Sequence, residues 1–164
     1  MPATYEPIAS QTLGSAASLV TFSSIPGTFT DLILVSMCGS SGTDSALFCR
    51  VNSNTGTTDY SRTMLYYRSS ATSARVSNDS GMRIGNRIAD GTPTTPSRAQ
   101  FMSYVNTNVF KTILTESAAS AQEVGRFVGL WRSTSAISTI YLFPDSGLDF
   151  VTGSTFSLFG LKAA

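Results

Sequence analysis

Short runs of alternating apolar and polar residues recur along the whole chain, with turn-forming residues between them. The segments 101–105 and 155–161 alternate most regularly. A period of two places successive side chains on opposite faces of a β-strand. The pattern predicts strands at 18–22, 31–38, 45–51, 61–67, 82–88, 100–105, 110–115, 124–131, 137–143 and 155–161.

Two neighbouring segments carry the strongest strand signal. Segment 31–38 is a nearly continuous apolar run, which is typical of a strand in the centre of a sheet. Segment 45–51 follows a loop of turn formers, so the two segments are predicted to form a hairpin. In a hairpin centred on residues 43 and 44, Cys38 and Cys49 lie opposite each other. A cross-strand disulfide and two buried thiols are both open, and a reducing cytoplasm favours the thiols.

No comparable helical pattern occurs. The best candidate, 116–123, spans about two turns and lacks an apolar stripe. Many short strands separated by Gly, Pro and Asn turns predict an all-β fold, an antiparallel β-sandwich, and we expect a jelly roll. No linker or repeat divides the chain, so residues 1–164 are predicted to form one sandwich domain.

One stretch interrupts the regular spacing. Residues 69–100 are rich in Ser, Thr and Arg, and we expect a long insertion there with one short strand inside it. Long loops in compact domains are usually functional or mobile. This stretch is therefore either a surface that contacts a partner or a solvated insertion that touches nothing.

The residue types present limit the available chemistry. The sequence has no histidine, and it lacks a phosphate-binding loop and a Gly-x-Ser-x-Gly nucleophile motif. A carboxylate pair assembled from separate strands is the remaining enzymatic route. We expect no enzyme, no cofactor and no metal site.

Charge and hydropathy bear on the partners. The formal net charge is +1 and only 13% of the residues are charged, which gives no long-range field for nucleic acid or for an anionic membrane. No basic, apolar leader opens the sequence, and no apolar run is long enough to span a membrane. We expect no nucleic-acid partner, no membrane partner and synthesis in a cytoplasm. Charge is depleted at interface cores, so an assembly that buries much of the surface is favoured.

One predicted strand offers the best contact surface. Tyr60, Arg62, Tyr66 and Arg68 alternate along segment 61–67 and its flanks, so they share one face. Arginine suits fixed, directional contacts better than lysine does. Six aromatic residues, some of them on this strand, form either a sugar-stacking platform or part of the core. These are Tyr66, Tyr67, Phe127, Trp131, Tyr141 and Phe143.

Both ends of the chain resemble a known class of proteins. The segments are YEPIASQTL at 5–13, VTFSSIPGTFTDL at 20–32, GLWRST at 129–134 and FVTGSTFSLFGLK at 150–162. They resemble small β-sandwich structural proteins of tailed bacteriophages, which serve as capsid decoration (cement) proteins or as domains of tail fibres and spikes. The shared segments look like turns and core, so no functional residue is carried over.

The resemblance implies a virion structural protein, made in the host bacterial cytoplasm and placed on the capsid exterior. It implies a homo-oligomer, expected to be a trimer at local three-fold positions, that stabilises the shell by binding the major capsid protein. The alternative is a tail fibre, spike or baseplate component that binds host surface glycans. The candidate interface residues are Arg62, Arg68, Arg75, Arg83, Arg87 and Tyr66.

Overall fold

The computed structural model describes residues 4–43, 45–119 and 123–162, with the side chains of Asn86 and Arg87 excepted. Within these residues the chain forms β-strands and no helix, so the predicted all-β fold is confirmed. The strands are β1 (Tyr5–Thr12), β2 (Val20–Phe22), β3 (Asp31–Ser40), β4 (Ser45–Val51), β5 (Tyr60–Tyr67), β6 (Ala71–Asp79), β7 (Met82–Asp90), β8 (Thr95–Met102), β9 (Lys111–Ala119), β10 (Glu123–Trp131), β11 (Ile140–Pro144) and β12 (Thr155–Leu161).

The strands form two layers. The long sheet has the antiparallel order β1-β12-β3-β8-β9-β10-β5-β6. The short sheet has the antiparallel order β2-β11-β4-β7. A short parallel pairing of β3 with β7, at Gly39–Ala89 and Ser40–Asp90, joins the two sheets at one corner. Strand β7 lies against β9 and β10, so the short sheet covers the inner face of the long one.

The core lies between the sheets, and strand alternation fills it. On β12, Phe156 and Leu158 point inward and are fully buried, while Ser157 and Phe159 point outward. The ring of Phe156 meets Phe150 edge to face at 4.9 Å. Gly160 also faces inward, where a Cβ would lie 2.2 Å from Phe29 Cγ. The regular alternation read from the sequence at 155–161 is therefore a core pattern.

The predicted hairpin between segments 31–38 and 45–51 is wrong. Strand β3 pairs with β12 and β8 in the long sheet, whereas β4 pairs with β11 and β7 in the short sheet. The loop between them crosses from one layer to the other, and Ser41 N donates to Asp149 O (2.8 Å) on the way. Cys38 and Cys49 are consequently separate, buried free thiols. A run of turn formers specifies a change of direction but not the layer in which the next strand pairs.

The predicted long insertion at 69–100 is also wrong. Nearly all of this stretch belongs to β6, β7 and β8. A tight turn in which Ser80 N donates to Asp79 Oδ1 (2.8 Å) links β6 to β7, and Gly91 with φ +70° ends β7. Strand β6 forms an edge of the long sheet, and none of its residues is fully buried. Its residues can therefore be mostly small or polar. The helix candidate 116–123 is β9 up to Ala119 and the first residue of β10 at 123; residues 120–122 lie outside the described part.

Candidate functional site

The outward face of the long sheet carries large apolar side chains that no part of the described chain covers. They lie at positions whose neighbours along each strand point into the core. Their exposed fractions run from 42% to 60%. We call this surface the outer sheet face, and it is formed by Val35, Met37, Leu65, Tyr67, Leu114, Val124 and Val128.

Strand register arranges the outer sheet face in rows. One row crosses the sheet through Val35, Arg98, Glu116, Arg126 and Leu65, which are successive partners on β3, β8, β9, β10 and β5. Within it Arg126 Nη2 and Glu116 Oε1 form an exposed ion pair at 2.7 Å. A charged row therefore runs between apolar positions on either side.

The two neighbouring rows are mainly apolar. On one side, Val124 lies between Ala118 and Tyr67, and Met37 is paired with Pro96. On the other side, Leu114 and Val128 are partners on β9 and β10. A depression of about 690 Å³ lies on this surface, lined by residues that include Val35, Leu65 and Val124. Two exposed apolar rows that flank a charged row on a folded chain make this face a candidate interaction site.

Two of the arginines predicted to contact a partner are turned into the protein. Arg62 Nη1 donates to Asp79 Oδ2, and its guanidinium lies 5.4 Å from the ring centre of Phe48. The guanidinium of Arg83 also lies over the Phe48 ring, 5.3 Å from the ring centre. Burial, reinforced by the positive charge of Arg83, lowers the pKa of Arg62 to about 10, while Asp145 opposes the shift. These two side chains hold the sheets together at the β7 edge.

The other predicted contact residues do not share one surface with them. Arg68 is exposed at the tip of the β5–β6 hairpin, and Arg75 is exposed on β6 opposite Thr63, beside the outer sheet face. Tyr66 is half-buried on the opposite side of β5 from Leu65 and Tyr67. The side chain of Arg87 lies outside the described residues. The single contact face predicted along β5 is therefore corrected: even-numbered side chains face the short sheet, and odd-numbered ones face out.

A second concave surface lies on the outer side of the short sheet. It is a groove of about 620 Å³ beside β4 and β11, and it contains Arg50, Tyr141, Phe143 and Asp145. Phe143 stacks on Phe48 with ring centres 5.8 Å apart, and the Arg50 guanidinium lies 4.5 Å from the Phe143 ring centre. Tyr141 and Phe143, named from the sequence as core or platform residues, are thus half-buried groove residues.

Lys111 is a buried cation that the sequence pattern did not single out. Its side chain is 1% exposed, and Nζ donates to the carbonyl oxygens of Asn106 (2.5 Å), Val109 (2.8 Å) and Thr134 (2.9 Å). Burial lowers the pKa of Lys111 below its usual range. This lysine ties two loops to the end of the sandwich. The sequence pattern that could have indicated this burial is the alternation along β9, in which Lys111 shares the inward face with Ile113 and Thr115.

Within the described residues, no three His, Cys, Asp or Glu side chains are grouped so as to hold a metal ion. The same part of the chain contains no helix that is long and apolar enough to cross a membrane. The Oδ1 of Asp145 accepts hydrogen bonds from Ser45 Oγ (3.0 Å) and Ala46 N (2.9 Å).

No protein-family model matches the chain, and no curated protein matches it either. Among solved structures it is similar to alginate lyase Aly36B in complex with an alginate tetrasaccharide, with 13% identity, 87% of this chain and 79% of that chain covered, and a TM-score of 0.28. A second structure of alginate lyase Aly36B gives 14% identity, the same coverage and a TM-score of 0.28. Infectious bursal disease virus, Gx strain, gives 12% identity, coverages of 95% and 43%, and a TM-score of 0.14.

The expectation that the chain is not an enzyme is corrected by this comparison. The solved structures that are similar to the chain include an alginate lyase. At a TM-score of 0.28 and 13% identity, the likeness assigns no activity to this chain.

Proposed function

We propose that the chain is a bacteriophage virion structural protein, a capsid decoration (cement) protein that stabilises the shell by binding the major capsid protein. The observation that carries this proposal is the outer sheet face, whose apolar side chains are 42–60% exposed on a folded sandwich. Covering such a face with a partner removes apolar area from water and contributes about 25 cal/mol per Å². The resemblance of both chain ends to phage virion proteins supports the same assignment.

The charged row orients the partner. Arg98, Glu116 and Arg126 alternate in sign across the middle of the outer sheet face. A partner surface with carboxylates opposite the two arginines is complementary to this row, and such complementarity fixes the docking orientation more than it adds affinity. Arg75 and Arg68, named from the sequence, extend this positive charge toward the β5–β6 end.

We extend the proposal to the topology and the assembly. Leaving aside the hairpins β5–β6 and β9–β10, the two sheets have the orders β1-β12-β3-β8 and β2-β11-β4-β7. Consecutive strands of this reduced set then alternate between the two layers, except that β4 and β7 lie in the same layer. Two interlocked Greek keys have the same arrangement, so we propose a jelly roll with two inserted hairpins. A homotrimer on the capsid exterior, at local three-fold positions, fits a decoration role. Its mass in solution tests this part: a monomer at working concentration contradicts the trimer.

Docking through the outer sheet face is tested with Val124→Glu. Val124 is 58% exposed, so the free chain should lose about 0.5 kcal/mol or less of its stability. In the complex the carboxylate is buried without a partner, and we expect binding to undecorated capsids to weaken at least tenfold, by about 1.4 kcal/mol or more. The matched control is Val109→Glu, 43% exposed in the loop before β9, which should bind as the unaltered chain does. Equal binding by both variants contradicts docking through this face.

A second candidate function has one observation in its favour. The groove on the short sheet presents half-buried Tyr141 and Phe143 beside Arg50. A tail fibre, spike or baseplate component that binds host surface glycans needs an exposed groove of this composition. The two candidates use different surfaces, so Val124→Glu separates them: it impairs a cement protein and leaves glycan binding unchanged.

A further inference from the structure

Arg50 is held in place with its terminal nitrogens unused. Its Nε donates to Ser80 O at 2.5 Å, and its guanidinium lies over Phe143 at 4.5 Å from the ring centre. Among the described residues, no hydrogen bond or ion pair engages Nη1 or Nη2 of Arg50. A guanidinium fixed in this way offers two parallel N–H donors with little entropy left to lose.

The support beneath this guanidinium is rigid. Phe143 stacks on Phe48 with an interplanar angle of 18°, and the two rings are cross-strand partners on β11 and β4. Phe48 is buried, and the guanidiniums of Arg62 and Arg83 lie 5.4 and 5.3 Å from its ring centre. The position of Arg50 is therefore set by the sheet and not by a mobile loop.

The remaining groove wall is mixed in character. Leu19, 47% exposed, and Leu148 supply apolar surface, while Ser53 and Tyr141 contribute hydroxyl groups joined by a 2.7 Å hydrogen bond. Asp145 lies in the same groove; its Oδ1 is engaged by β4, and among the described residues no hydrogen bond engages Oδ2. The groove thus combines a donor fork for an anion with acceptors for hydroxyl groups.

We propose that this groove binds a carboxylate-bearing oligosaccharide, with the sugar carboxylate on the Nη1 and Nη2 donors of Arg50. A planar carboxylate matches the guanidinium fork in a bidentate arrangement. Sugar hydroxyls supply the donors that Asp145 and Tyr141 accept, and sugar C–H faces cover Leu19 and Leu148. An acidic peptide of Asp and Glu carries no hydroxyl groups for Asp145 and Tyr141 to accept from, so a saccharide is the better match.

This inference deepens the second candidate function and is independent of docking through the outer sheet face. Titration calorimetry with tetragalacturonate tests it, against its methyl ester and against a pentaglutamate peptide. We expect tetragalacturonate to bind and the methyl ester and the pentaglutamate peptide not to bind. Binding of the methyl ester with equal affinity, binding of the peptide in preference to the sugar, or no binding of tetragalacturonate at millimolar concentration overturns the proposal.

Arg50→Gln locates the binding site. Losing a charge-assisted bidentate contact should weaken tetragalacturonate binding roughly tenfold to a hundredfold. The matched control is Arg126→Gln on the long sheet, whose side chain is 77% exposed, and it should bind as the unaltered chain does. Because Arg50→Gln also removes the Nε bond to Ser80, Leu19→Glu is a second probe that adds negative charge to the groove without touching the core. Unchanged affinity in either groove variant contradicts the inference, whatever the capsid-binding result is.

Discussion

Replacing Lys111 by methionine removes the buried ammonium that ties two loops to the sandwich. Three carbonyl oxygens, those of Asn106, Val109 and Thr134, lose a donor within 2.5 to 2.9 Å. Methionine fills a similar volume but donates no hydrogen bond. The loops must then either leave these carbonyls unpaired or open to water.

The magnitude follows from those three bonds. The three bonds are only partly buried, so each acceptor left without its donor costs toward the lower end of about 1–3 kcal/mol, while burial of the methionine side chain returns about 1.5–3 kcal/mol. The expected net loss in the free energy of unfolding is about 2 kcal/mol. Lys111 itself is 1% exposed, whereas Asn106, Val109 and Thr134 are exposed residues, so water replaces part of the lost donor.

Urea unfolding of two lysine variants tests this reasoning. The sequence has only one other lysine, Lys162, which pairs with Glu6 at 2.8 Å and is 43% exposed. Lys162→Met should therefore cost less than about 1 kcal/mol. If Lys111→Met is as stable as Lys162→Met, the buried ammonium does not hold the loops and the reasoning is wrong.

Two further predictions concern stability. Burial raises the pKa of Cys38 from 9.0 to about 12. Above pH 9 the folded chain therefore keeps a thiol proton that the unfolded chain releases. The free energy of unfolding should fall from pH 9 upward by at most about 1.4 kcal/mol per pH unit for this group. Denaturation at pH 8 and pH 11 should show a smaller fall for Cys38→Ala than for the unaltered chain; an equal fall contradicts the assignment. Gly39→Ala places a Cβ 2.1 Å from the backbone oxygen of Thr92 and should cost about 3 kcal/mol, whereas Gly14→Ala, with nothing within 4 Å, is the control. Thermal unfolding compares the two, and similar midpoints contradict the predicted collision.

Much of the fold was predictable because strand alternation is a local signal. The inward series on β12, Phe156 and Leu158, is regular, and the central position of segment 31–38 follows from its continuous apolar run. Strand β6 was missed because edge strands need no apolar face, and its residues are small and polar. The pairing of β4 was missed because turn residues do not encode the layer of the following strand.

The candidate site was harder to predict for a related reason. Alternation separates the two faces of a strand, but it does not tell which face meets the core. On β5 both faces carry apolar residues: Tyr60 and Met64 are buried, and Leu65 and Tyr67 are exposed. The arginines on the inward face therefore looked available from the sequence, and the apolar residues on the outward face looked buried. Only the position of the short sheet over β9 and β10 decides between the two faces.

Imaging of the intact virion at side-chain resolution shows whether and how this chain covers the capsid. We expect the chain on the capsid exterior, with Val124, Leu65 and Tyr67 of the outer sheet face covered by the major capsid protein. A capsid without the chain, or a bound chain whose outer sheet face is open to solvent, contradicts it.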